Sequence, residues 1–160
     1  MVEHIVAFFV YSYLGATCEH IAYNVVGGPD KPKKSLENPI ITGFPIYGIG
    51  AYIVVFANNY LKQFGATNPL IKILVFGFLL SALELVIGLI VGAGPKSYTK
   101  DGLISGWDYS NDKYNLYGII SPRTFATWGI LGLTVSYIHP SILNWIKCGV
   151  NCYTSAAPSH

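Results

Sequence analysis

Hydrophobic residues gather into four long runs, roughly 4–26, 40–61, 70–93 and 119–138, each separated from the next by a polar or Pro/Gly-marked break. A helix rises 1.5 Å per residue, so about 20 residues cross an apolar bilayer core about 30 Å thick. All four runs reach that length. The pattern predicts an all-α fold: an integral membrane bundle of four transmembrane helices. The break from Gly27 to Pro39 carries Pro29, Pro32 and three lysines and reads as an aqueous loop. Gln63–Pro69 is a short connection, and Pro95–Gly118 a longer polar loop rich in Asp, Lys, Ser and Gly. After Pro140, Ser141–Cys152 predicts a separate short interfacial helix. Residues 1–152 thus read as a single polytopic membrane domain and 153–160 as a C-terminal tail, disordered on composition.

The first run imitates a secretion signal, with apolar Ile5–Leu14 followed by Gly15-Ala16-Thr17-Cys18. Met1-Val2-Glu3-His4 supplies no basic start, however, and the apolar run resumes after Glu19-His20. This predicts a retained helix. Small residues recur at spacings of three and four within the runs: Ser12, Gly15 and Ala22 around Glu19; Gly77, Ser81, Gly88 and Gly92 around Glu84; Gly129, Gly132 and Ser136. Such faces let membrane helices approach closely, and they turn the two acids toward helix contacts.

Composition sharpens the membrane reading. The chain is 52% hydrophobic and 11% charged, whereas soluble domains carry about 25% charged residues; mean hydropathy is +0.44. A soluble protein with four such runs would lack the polar residues to clothe them. The net charge of +2 is too small to point to nucleic acid. The expected partners are the lipid bilayer and other membrane or assembly proteins. Of the three cysteines, Cys18 reads as a small packing residue. Cys148 and Cys152 could share a helix face, but only His139 and His160 lie near them in sequence. Free thiols or an intermolecular bridge are expected there, and no metal site.

Glu19, Glu84 and Arg123 are the candidate intramembrane residues. A charge at mid-bilayer costs about 2.5–3.5 kcal/mol on insertion scales, so each needs a compensating arrangement. The acids can pair with Arg123, bond neighbouring hydroxyls while protonated, or bind a translocated cation or proton. Arg123, at the start of the fourth run, can pair with Glu84 or Glu19 or snorkel to the headgroups; the pair is the expectation, because an Arg fork suits a buried carboxylate. Trp107, Asp108, Tyr109, Asn115 and His139 form a candidate interfacial motif, since aromatic residues mark the membrane boundary.

No catalytic constellation stands out. Gly92-Ala93-Gly94-Pro95-Lys96-Ser97 lacks the spacing of a phosphate loop and follows an apolar helix rather than a strand. Asp108 and His139 fall at opposite ends of the fourth run, about 30 Å apart on a continuous helix. The chain is expected not to be an enzyme and to need no cofactor.

Several short motifs occur in order: Gly15-x-x-x-Glu19, Pro45-Ile46-Tyr47-Gly48-Ile49-Gly50, Ser81-x-x-Glu84-x-x-x-Gly88, Trp107-Asp108-Tyr109-Ser110, Asn115-Leu116-x-Gly118, Arg123, Trp128-Gly129 and His139-Pro140. Over residues 8–140 the chain resembles the putative ABC-transporter type IV family, also called CmpB-like membrane proteins. It departs from the family's pattern at Ala16 (usually Trp), at Ile119 (often basic) and at Pro122 (usually apolar). The resemblance implies a membrane fold and a permease-like or accessory membrane subunit with no ATPase of its own. The rival reading is a structural membrane protein that anchors or scaffolds a larger assembly, in a virion or organelle membrane. With four spans, loops 27–39 and 94–118 share a side and hold Lys31, Lys33, Lys34, Lys96, Lys100 and Lys113, against Lys62, Lys72 and Lys147 opposite. The positive-inside rule then places both loops in the cytoplasm and both termini across the membrane.

Overall fold

The computed structural model describes residues 2–25, 39–95 and 107–155. Four helices account for most of them: α1 (Val2–Val25), α2 (Pro39–Gln63), α3 (Pro69–Val91) and α4 (Pro122–Ser155). Among the described residues there are no strands, only an isolated bridge between Leu116 and Ile120. The expected lysine-rich loop before α2, and Lys96 and Lys100, lie outside the described residues.

Local chemistry sets the helix ends. Asn68 caps α3 by accepting from the Leu70 N–H at 2.9 Å, and Pro69 occupies the first turn, where a missing N–H costs nothing. Gly92, at φ 75°, closes the helix in the left-handed region. At α4, Ser121 and Thr124 bond reciprocally: the Ser121 N–H donates to Thr124 Oγ1 at 2.9 Å and the Thr124 N–H to Ser121 Oγ at 3.3 Å. With Pro122 next, this cap starts the helix three residues later than the hydrophobic run does. Ile119 and Ile120 belong instead to the preceding loop.

The break expected at Pro140 does not occur. α4 passes through Pro140 to Ser155, so the expected separate interfacial helix is its continuation, and the helix includes the first residues of the stretch expected as a tail. Packing explains this. Ile146 joins Ala7, Tyr11 and Ala51 in a core cluster, with Ile142 and Leu143 against it, so the segment beyond the proline is held by α1 and α2.

Consecutive helices run antiparallel. Gly15 meets Tyr47 while His4 meets Tyr52. Val54 packs on Phe76 and Leu80. Gly77 faces Phe125 and Gly129 faces Ile73. The small faces act as expected: a Cβ at Gly15 would enter the Tyr47 ring, one at Gly48 would strike the Ser12 hydroxyl, and one at Gly129 would lie 2.6 Å from the Ile73 carbonyl oxygen.

The segment 107–121 folds back along the C-terminal half of α3, with Trp107 and Ile119 against Gly88. The polar loop expected over this stretch is therefore partly a packing element, and α4 begins beside the middle of α3. Among the described residues, α3 alone is long and apolar enough to cross a membrane by length and composition. Glu3, His4 and Glu19 in α1, Asn58, Asn59 and Lys62 in α2, and the hydroxyls of α4 lower the others.

Candidate functional site

The interior of the bundle mixes apolar core clusters with buried polar side chains. Ser12, Asn58, Ser81, Glu84, Ser136 and His139 are buried, while Phe9, Phe56, Phe78, Leu89, Ile130 and Trp145 are exposed. So many buried polar groups together with so much exposed apolar surface depart from the usual distribution of a water-soluble domain.

Two carboxyls define one end. Glu19 of α1 accepts the Tyr47 hydroxyl of α2 at 2.6 Å. Glu84 of α3 is 7% exposed. Its Oε2 accepts the Trp128 indole N–H of α4 at 2.7 Å, and its Oε1 the Tyr109 hydroxyl at 3.3 Å. The Tyr47 and Trp128 rings lie 6.1 Å apart, so a relay of contacts, Glu19–Tyr47–Trp128–Glu84–Tyr109, crosses all four helices and the loop. Tyr47 is within electrostatic reach of Glu84, and the two acids of each other.

The expected pairing of Arg123 with Glu84 or Glu19 is not formed. Arg123 Nε donates to Asp112 Oδ2 at 2.9 Å, and the Arg123 side chain is 70% exposed. The reason is the late start of α4: the cap at Ser121 puts Arg123 in the first turn, pointing outward, where a loop carboxylate meets it first. Burial works upward on the Asp112 carboxyl, but the Ser121 hydroxyl at 2.7 Å, the Arg123 N–H and the Arg123 charge outweigh it and hold the group below the ordinary carboxylate range. The guanidinium also lies 5.9 Å from the Tyr109 ring. Lys72, another cation with a buried side chain, sits over Tyr137 at 5.8 Å.

The other sequence-selected residues separate into two groups. Trp107 donates its indole N–H to the Ile119 carbonyl at 3.0 Å. Asp108 accepts the Ser110 N–H at 2.8 Å. Asn115 donates to the Ser110 and Asp112 carbonyls and accepts the Gly118 N–H at 2.9 Å. These three knot the loop, and they leave Tyr114 and Tyr117 at positive φ. Tyr109, by contrast, turns inward to Glu84. His139, grouped by sequence with the interfacial residues, is 8% exposed and lies inside the bundle. Cys18, expected to pack, is exposed, as is Cys148; the side chains of His20 and Cys152 lie outside the described residues.

His139 anchors a second polar cluster. Its Nδ1 is 2.9 Å from the Tyr11 hydroxyl, and its ring lies 6.3 Å from that of His4. Tyr52 donates its hydroxyl proton to the His4 carbonyl at 2.7 Å, so in its 3.2 Å contact with His4 Nδ1 the imidazole is the donor. Sequence reasoning did not select Tyr47, Trp128, Tyr11, Tyr52 or His4 as site residues. Its only signal for them was an aromatic residue beside a glycine, as in Tyr47-Gly48 and Trp128-Gly129.

No curated protein and no solved structure matches the chain. The family described as Putative ABC-transporter type IV matches residues 6–156. That span covers nearly all of the chain, both carboxyls, the aromatic donors and the folded-back loop, and the protein therefore belongs to the putative ABC-transporter type IV family.

Proposed function

We propose that the protein is a four-span membrane subunit, permease-like or accessory to a transporter, that relies on a partner for ATP hydrolysis. The observation that carries this reading is the combination of buried polar groups with a broad outward apolar surface. Carboxyls from α1 and α3 meet neutral donors from α2, α4 and the loop inside the bundle, while large apolar side chains of all four helices face outward. Burying polar groups and exposing apolar ones is costly in water and favourable in lipid, where outward aliphatic surface has no water to meet. Membership in a transporter-related family supports the location and the role. The absence of a phosphate-loop spacing in the sequence supports the need for a separate ATPase.

In this reading α1, α2 and α4 cross the membrane with α3, although their polar residues lower their mean hydropathy; Asn58, Thr124 and Ser136 are buried in the bundle, and the exposed Thr127 and Thr134 hydroxyls bond the carbonyls of Arg123 and Ile130 on their own helix. The loops before α2 and after α3 are cytoplasmic, following the lysine excess. Purification from the native membrane in mild detergent, with identification of co-purifying chains, tests the role. An ATPase subunit is the expected companion. Recovery with a structural lattice protein instead would replace this reading with a scaffold. Labelling of Ser97→Cys by an impermeant thiol reagent in intact cells would reverse the orientation.

A further inference from the structure

A cleft of about 340 Å³ opens where α3, the folded-back loop and the start of α4 meet, a volume within the range of small-molecule sites. Leu116 and Ile120 of the loop and Pro122 and Phe125 of α4 give it apolar walls, and Ser81 of α3 lines it from the helix side. Ser81 is 5% exposed, and among the described residues its Oγ has no hydrogen-bond partner. Ser121, the other serine at the cleft, is committed: its Oγ donates to Asp112 and accepts the Thr124 N–H. A buried hydroxyl without a partner is costly, so Ser81 calls for one from within the cleft.

The rim is aromatic and charged. Tyr114 lines the cleft and is 77% exposed. Its φ of 61° lies in the left-handed region that non-glycine residues seldom adopt, and the Asn115 bonds hold the turn that imposes it. Lys113 Nζ stands 5.0 Å from the Tyr114 ring. Arg123, next to Pro122, is exposed beside Asp112. Exposed charges are expensive in hydrocarbon, so headgroups or water reach the first turn of α4. From Arg123 to Lys147, α4 rises about 36 Å at 1.5 Å per residue, more than an apolar core about 30 Å thick. Arg123 therefore marks one boundary of this span. The cleft lies at the same turn, where the ester groups of membrane lipids meet their hydrocarbon chains.

We propose that this cleft binds one acyl ester of an anionic glycerophospholipid. The ester carbonyl accepts the Ser81 hydroxyl proton, the chain lies against Leu116, Ile120 and Phe125, and the phosphate sits by Lys113 at the rim. The proposal rests on the four-span reading, not on the presence of an ATPase. The lining decides the class of ligand. Water alone would satisfy Ser81 but leave four apolar side chains wet. A bare hydrocarbon chain would cover the walls but leave the hydroxyl unpaired. An ester on a chain does both. None of the side chains lining the cleft is charged, so an ionic group belongs at the rim, where Lys113 favours an anion.

The test uses the purified full-length protein in phosphatidylcholine vesicles doped with phosphatidylglycerol that carries a diazirine near the ester end of one chain. Resistance of the protein to alkaline carbonate extraction is checked first; failure there would overturn the four-span reading itself. After irradiation, mass spectrometry maps the labelled residues. Label on Leu116, Ile120 or Phe125 is expected well above that on Tyr60 and Phe64, which are exposed at the end of α2 and report ordinary lipid contact. Unlabelled phosphatidylglycerol should displace it, and extra phosphatidylcholine much less. Ser81→Ala removes an unpaired hydroxyl and should keep the fold. At sub-saturating probe it should lower the cleft label about two- to tenfold, the worth of one neutral hydrogen bond, with Tyr60 and Phe64 unchanged. Leu116→Trp, which fills the cleft from the rim, should abolish the cleft label, and Lys113→Gln should remove the preference for phosphatidylglycerol. Cleft label no higher than at Tyr60 and Phe64 would overturn the proposal. So would wild-type labelling of Ser81→Ala, which would assign the hydroxyl to its own helix backbone, or equal displacement by both lipids. Each of these outcomes leaves the accessory role intact.

Discussion

Glu84 and Asp112 are both carboxylates tied by short hydrogen bonds, yet they solve opposite problems. Asp112 sits on the folded-back loop beside an exposed guanidinium, and its charge is answered by a charge. Glu84 sits within the bundle and, among the described residues, is answered by an indole N–H and a phenol. A surface pair of the first kind contributes little, about 0–1 kcal/mol, because water competes for both partners. An interior acid of the second kind joins donors from separate elements, so its removal is felt across the network. Polar groups inside this protein therefore matter through satisfaction of hydrogen bonds, and charges outside it through local ordering.

The contrast is tested most severely by truncating each acid. Glu84→Ala leaves the Trp128 N–H without its acceptor and removes one bond of the Tyr109 hydroxyl; at about 1–3 kcal/mol for the unsatisfied donor and about 1 kcal/mol for the lost bond, the expected loss is about 2–4 kcal/mol. Asp112→Ala should cost less than about 1 kcal/mol. Denaturant unfolding in detergent micelles measures both, and equal losses would erase the distinction.

Tyr47→Phe removes the hydroxyl that serves Glu19 and leaves the ring against Trp128. A loss of about 1–2 kcal/mol is expected, with Glu19→Gln adding little on top, since the two share one bond. Full additivity of the two changes would place Glu19 in a different environment.

Double-mutant cycles then separate the two regions. Arg123→Ala with Asp112→Asn should show a coupling below about 1 kcal/mol, and Arg123→Ala with Glu84→Gln should add within about 0.5 kcal/mol. Coupling of Arg123 to Glu84 stronger than to Asp112 would restore the interior ion pair that the sequence suggests.

The smallest effect is in pH. The Asp112 carboxyl lies below its ordinary value in the folded protein. Its bonds to Ser121 and Arg123 thus order the loop fully above the unfolded value of about 3.9 and are lost as pH falls through the lower folded value. Trp107, bonded to Ile119 in the same loop, offers a fluorescence readout. A small transition below about pH 4 is expected in the wild type and absent in Asp112→Asn. Its persistence in that variant would assign it to another carboxyl.

Much of the architecture was legible along the chain. The four apolar runs became four helices, and the glycine stripes marked where α1 meets α2 and where α3 meets α4, because a missing side chain determines how close two backbones can come. Glu19 and Glu84 were legible for the same reason: an acid on a small-residue face has to point toward another helix. The errors share a cause as well. Ile119 and Ile120 looked helical because hydrophobicity does not distinguish a buried loop from a helix end, and the reciprocal Ser121–Thr124 cap outweighed it. Pro140 looked like a stop because the packing of Ile142, Leu143 and Ile146 on α1 and α2 is invisible locally.

Sequence alone determined the all-helical class and the family, since the long apolar runs and the ordered short motifs are both written along the chain. It also determined which acids are interior. Their partners were decided only in three dimensions. Tyr47, Tyr109 and Trp128 meet the two carboxyls across gaps of 25 to 44 residues, and Tyr11 meets His139 across 128. Hydrogen bonds are directional and short, so which donor reaches which acid depends on helix rotation and loop path to within an ångström. No local pattern of residue types encodes that.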